Sequence, residues 1–141
     1  MKMARFLAFL CAFAILVATL ACGKKGDPFL PQKEVSARIT GLRGELEKGN
    51  ILLRGKIRGW KDAQGARVYY AQFPLEDPPC EECPIQYQGY QSFGAEVITE
   101  EGFFCTLPVK VQRQVYFFRV NLIGPGGRLR PPSETVKVVV E

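Results

Sequence analysis

Apolar positions along this chain follow two patterns, and the change falls near Pro31. From Phe6 to Ala21 an apolar run of 16 residues carries no charge. After Pro31 the chain turns to short alternating segments separated by Gly, Pro and charged residues. No long stretch there keeps a helical period. Val35–Leu42 reads as a first strand, and Ile51, Leu53 and Ile57 alternate with polar positions in a second. Ala66–Phe73, Ile85–Phe93, Phe103–Leu107, Val115–Ile123 and Thr135–Val140 read as five more. β-Branched and aromatic residues fill these runs, and turn residues punctuate them. The period of two places Tyr116, Phe118, Val120 and Leu122 on one face, predicted to be the core face. In the fourth strand Ile85, Tyr87 and Tyr90 supply the apolar side, and Gly55 in the second marks a bulge or close packing. The pattern predicts an all-β, seven-stranded antiparallel β-sandwich over residues 35–141, behind an N-terminal signal helix (1–21) and a flexible tether (22–34).

Length and charge narrow the function classes. The chain has 141 residues and a formal charge of +5. Without residues 1–21, the remaining 120 can still bury a real core. That portion carries 17 basic and 14 acidic side chains. The excess is too mild to indicate a nucleic-acid partner, and the basic residues form no single block along the sequence. It permits a weak attraction to anionic lipid headgroups. There is no histidine, so the commonest general base and the commonest metal ligand are missing. No nucleophile–base pair, phosphate loop or paired-carboxylate motif stands out. Glu96, Glu100 and Glu101 read as a solvated turn. The expectation is a protein that is not an enzyme, with no metal, no small-molecule substrate and no cofactor beyond a covalent lipid.

The N-terminus explains the lipid. Met1-Lys2-Met3-Ala4-Arg5 places two cations before the apolar run, and small residues close it. That is the three-part build of a secretory signal. Sixteen residues fall short of the ~20 that a membrane-spanning helix needs. Thr19-Leu20-Ala21-Cys22 then resembles the lipobox of bacterial lipoprotein precursors, with Thr19 and Leu20 in inverted order. The resemblance implies cleavage after Ala21 and acylation of Cys22 on sulfur. The plainer alternative is an ordinary signal peptide beside an incidental cysteine. Cys11 would leave with the leader. Gly23 stands where Asp would retain a lipoprotein at the inner membrane, so the resemblance implies the outer membrane, facing the periplasm. The segment from Cys22-Gly23-Lys24-Lys25-Gly26 to Pro31 also resembles the Cys-Gly-x-Lys-Gly-Pro-Leu opening of small envelope lipoproteins, with Asp27 interrupting it.

The C-terminal third carries a second resemblance. Tyr116-Phe117-Phe118-Arg119-Val120-Asn121 is followed by Gly124-Pro125-Gly126-Gly127-Arg128, Pro132-Ser133-Glu134 and Val136-Lys137-Val138. This resembles the last two strands of fibronectin type III domains, and Leu107-Pro108 and Arg67-Val68-Tyr69-Tyr70 resemble their earlier elements. The resemblance implies a fibronectin type III or Ig-like sandwich. The family's Trp belongs inside the second strand, whereas Trp60 lies after it. Trp60 is either a cap on one end of the core or an exposed contact residue.

The remaining cysteines are Cys80, Cys83 and Cys105. Pro78-Pro79-Cys80-Glu81-Glu82-Cys83-Pro84 stiffens a Cys-x-x-Cys on both sides with proline. An oxidising compartment favours a local disulfide between Cys80 and Cys83, clipping the loop between the third and fourth strands. Two other readings stay open. Thiol exchange is opposed by Glu81 and Glu82, which disfavour a thiolate. A metal site with Cys105 and a glutamate would lack a second pair or a histidine. In phase with Phe103 and Leu107, Cys105 reads as a buried, inert thiol. The expected function is a non-enzymatic binding or scaffolding module in the cell envelope. It would be held to a membrane through Cys22 and bind an envelope protein through Pro79, Glu81, Glu82 and Pro84, with Trp60 as a further candidate. The alternative is a periplasmic thiol-disulfide oxidoreductase or thiol sensor using Cys80 and Cys83.

Overall fold

Alternation of apolar and polar residues builds nine antiparallel strands among the residues that the computed structural model describes, which are Met3, 37–59, 63–80 and 82–141. Cys22, Trp60 and Glu81 lie outside them. The strands are β1 (Arg38–Glu47), β2 (Asn50–Arg58), β3 (Gly65–Pro74), β4 (Gly89–Phe93), β5 (Ile98–Thr99), β6 (Gly102–Pro108), β7 (Gln114–Ile123), β8 (Leu129–Pro132) and β9 (Val136–Val140). One sheet has the order β1-β2-β6-β5, and the other has β4-β3-β7-β8 with β9 also paired to β7. The described residues thus form an all-β, two-sheet sandwich. Inward side chains of both sheets meet in one core, including Ile39, Leu53, Phe103, Val68, Val120 and Leu122. Tyr116, Phe118, Val120 and Leu122 all point into it, as the period of two predicts. Each described core residue lies between Ala37 and Val140, within the compact unit Lys33–Glu141.

The differences from the predicted strands have local causes. β1 runs on to Glu47 because Lys48 and Gly49 adopt positive φ (49° and 80°) and close a two-residue hairpin onto β2. The bulge predicted from Gly55 lies on its partner strand. The β1 register slips between Thr40 and Arg43, opposite Gly55, where Gly41 takes φ 62°. Gly55 itself is a site of close packing, since a Cβ there would collide with Ile39. The predicted seven strands become nine because of two short pairings. β5 is a two-residue partner of β6, and β8 pairs Ile123 with Leu129 and Asn121 with Pro132. Pro131 and Pro132 cannot donate to a ladder, so the edge beside β7 breaks into β8 and β9. At the break Ser133 Oγ accepts the Val120 amide at 2.9 Å, and the Ser133 amide donates to the Val120 carbonyl at 2.8 Å.

Candidate functional site

The loop between β3 and β4 carries the sequence-predicted contact residues other than Trp60. It leaves β3 through a turn in which the Asp77 amide donates to the Pro74 carbonyl at 3.1 Å. The Leu75 amide bonds to the Arg113 carbonyl at 3.0 Å, and Arg113 pairs with Glu76. That pair is exposed. The Arg113 guanidinium, by its hydrogen bond and then its charge, holds the Glu76 carboxyl below the usual carboxylate range. Pro78 and Pro79 then lead into a disulfide between Cys80 and Cys83, whose Cα atoms are 5.2 Å apart. The Cys83 amide closes the turn onto the Cys80 carbonyl at 3.1 Å.

Beyond Pro84 the loop does not form the first half of the predicted fourth strand. Ile85 and Tyr87 lie against the outer face of the β3–β7–β9 sheet rather than between the sheets. The Tyr87 hydroxyl reaches Thr135 Oγ1 at 2.8 Å, on the far side of β7. Gln88 ties the return. Its amide donates to the Tyr70 carbonyl at 2.9 Å, and its side chain accepts the Gln72 amide at 3.2 Å and donates to the Gln72 carbonyl at 2.9 Å. The strand resumes only at Gly89, and Tyr90, expected on the apolar side, is 57% exposed.

This strap covers polar and aromatic groups on the outer sheet face. Tyr69 lies 6.1 Å from Tyr87 and 5.6 Å from Tyr90, ring centre to ring centre. The Arg119 guanidinium sits 4.6 Å from the Tyr87 ring and 5.5 Å from Tyr69, and its Nε is buried without a hydrogen-bond partner. Facing aromatic rings compensate such a cation. Between strap and sheet runs a groove of about 430 Å³. Cys80, Cys83, Pro84 and Ile85 form one wall, and Phe117 and Lys137 the other. Pro79 and Glu82, neighbours of Pro84 in the sequence, border the same groove. Cys105 is elsewhere. It is free, buried in the core on β6, and burial, followed by Glu96, pushes its thiol up to about 11.

A second surface escaped the sequence reading. On the outer face of β1, β2 and β6, Arg43 stands directly opposite Arg54, and Arg38 opposite Arg58. Lys56 falls between them on β2, and Arg54 lies 5.4 Å from the ring of Phe104, which is 40% exposed. A shallow hollow of about 1160 Å³ lies over Arg43, Arg54, Lys56 and Arg58. Basic residues that form no block in the sequence therefore form one in space. The available signal was Arg54-x-Lys56-x-Arg58, three cations at the period of a strand.

No family model matches the chain, and no curated protein does. A solved structure named "Myokine structure" is similar over 73% of this chain and 95% of its own, with a TM-score of 0.51 and 12% identity. At that identity the likeness is one of fold, and the fold of the described residues is an antiparallel two-sheet β-sandwich.

Proposed function

We propose that this chain is a lipid-anchored protein of the bacterial cell envelope, and that its fibronectin type III-like sandwich is a non-enzymatic binding module. Cys22 carries the anchor, the outer membrane facing the periplasm is its location, and the Cys80–Cys83 strap is its partner-contact surface. The carrying observation is the pairing of a leader that ends in Ala21-Cys22-Gly23 with a disulfide on an exposed loop. Disulfides persist in oxidising compartments, so both features point out of the cytoplasm.

The domain class draws support from topology. The order β1-β2-β6-β5 against a sheet built on β3, β7 and β9 fits the strand arrangement of Ig-like sandwiches. The Tyr116 hydroxyl donates to the Val111 carbonyl at 2.9 Å and accepts the Val111 amide at 3.2 Å. A tyrosine bonded back to the backbone at this corner is a hallmark of such domains. A contact role for the strap is favoured by its preorganisation, since prolines, disulfide and the Tyr87–Thr135 bond leave less entropy to lose on binding.

Intact mass of the membrane-extracted protein tests the anchor. The expected species begins at Cys22 and carries acyl chains, and Cys22→Ala yields none. A species that retains Met1 overturns the reading. For the strap, the wild-type protein is expected to retain an envelope protein that the Cys80→Ser/Cys83→Ser variant does not. Equal retention removes the strap as the contact surface. Turnover in an insulin-reduction assay would overturn the non-enzymatic reading in favour of thiol exchange.

A further inference from the structure

We propose that the outer face of the β1–β2 hairpin is a membrane-docking surface that lies against phosphate-bearing anionic lipid headgroups. This rests on the anchored reading above and adds which side of the domain faces the bilayer.

Charge distribution is the first ground. Residues 38–58 hold six basic and two acidic side chains. The rest of 22–141 holds eleven basic and twelve acidic ones. The hairpin therefore carries the whole net positive charge of the mature chain.

Geometry is the second. Like charges directly opposite one another destabilise a strand pair. Here two arginine pairs, Arg43–Arg54 and Arg38–Arg58, face each other across β1 and β2. Among the described residues the single ion pair is Arg113–Glu76, so none of these arginines is held by a described carboxylate. Glu45, Glu100 and Glu101 also border the hollow, the last two at the β5–β6 turn, Glu47 sits at the far end of β1, and Glu134 feels the charge of Arg38. They leave the hairpin positive. An anionic surface offsets the repulsion that the arginine pairs would otherwise suffer. Phe104, half exposed beside Arg54, adds an apolar group of the kind that settles at a headgroup boundary.

Chain connectivity is the third ground. Arg38 is the first residue of β1 and lies 16 residues after Cys22. Even fully extended, that spacer reaches about 55 Å. The anchored chain thus joins the sandwich at the basic end of this face, and a headgroup surface is always within range. Each basic residue near such a surface contributes about fivefold in binding.

The test uses Lys33–Glu141, the compact unit that contains both sheets and omits Cys22. The probe is sedimentation with vesicles of phosphatidylcholine, with and without phosphatidylglycerol. Binding is expected only to the vesicles containing phosphatidylglycerol, and high salt should abolish it. Arg43→Glu/Arg54→Glu should weaken it about twentyfold or more. Arg43→Gln/Arg54→Gln, a milder pair, should weaken it by a smaller factor, and serves if the reversed charges impair folding. Lys110→Glu/Arg128→Glu makes the same charge change elsewhere and should have little effect. Equal loss from both sets, equal binding to neutral vesicles, or tighter binding to a single-stranded oligonucleotide would overturn the proposal. Because the fragment lacks Cys22, a failure here leaves the acylation result untouched, and an unmodified Cys22 leaves the vesicle result standing.

Discussion

At the scale of single residues, two buried groups set measurable properties of the core. Tyr116 packs in the interior while its hydroxyl both donates to and accepts from the Val111 backbone. Tyr116→Phe keeps the ring and removes both bonds. It should destabilise the domain by about 1–2 kcal/mol, seen as a lower urea midpoint at unchanged slope. A slope that changed would mean the variant altered the denatured or native ensemble instead. Cys105 offers a pH readout. Its thiol ionises near 11 in the folded chain because burial penalises the thiolate. The unfolded chain ionises it near the ordinary thiol value of 9.0, so between those values the folded state holds the extra proton. Stability from this group is therefore complete below pH 9 and falls as pH rises towards 11. Cys105→Ala should flatten that alkaline decline. A thiol reagent should label Cys105 only once the domain opens. The burial of Cys105 was legible from its phase with Phe103 and Leu107. The hydroxyl partner of Tyr116 was not, because it depends on how the 109–113 loop folds back.

At the scale of elements, the strap is the feature that alternation misjudged. Ile85, Tyr87 and Tyr90 have the spacing of a core-facing strand, yet the first two cross the outer face of the sheet to which β4 itself belongs. Pattern reports that a residue will be buried; it does not report against which face. The cysteine pair was legible, since two intervening residues bring the Cα atoms to 5.2 Å with little chain to close. Such a small ring constrains the unfolded chain weakly, and Cys80→Ser/Cys83→Ser should cost no more than about 2 kcal/mol. Its local effect should be larger. Hydrogen exchange at 79–88 is expected to quicken while β3 and β7 amides stay protected. Uniform loss of protection across the domain would instead make the bridge a support of the core.

For the whole molecule, the central question is which residues the sandwich needs. Among the described residues the core cluster draws on both sheets, and all of it lies within the compact unit Lys33–Glu141. Lys33–Glu141 should therefore unfold in one cooperative transition with the same midpoint as the chain starting at residue 22, followed by far-UV circular dichroism in urea. A lower midpoint for the shorter chain would show that residues 22–32 contribute to the fold. At this scale charge also behaves differently from composition. A mild overall excess hides a strongly basic hairpin balanced by a slightly acidic remainder.

The sequence by itself determined the β class, the inward face of β7 and the cysteine pair on a proline-stiffened loop. Each of these is written in adjacent or alternating residues, where period, turn chemistry and spacing act locally. Tertiary structure decided the two extra strand pairings, the bulge opposite Gly55, the path of the strap across the outer face of the β3–β7–β9 sheet and the gathering of arginines on one face. These depend on register between segments distant along the chain. Register follows from how two sheets close around a shared core, and no single segment carries that information.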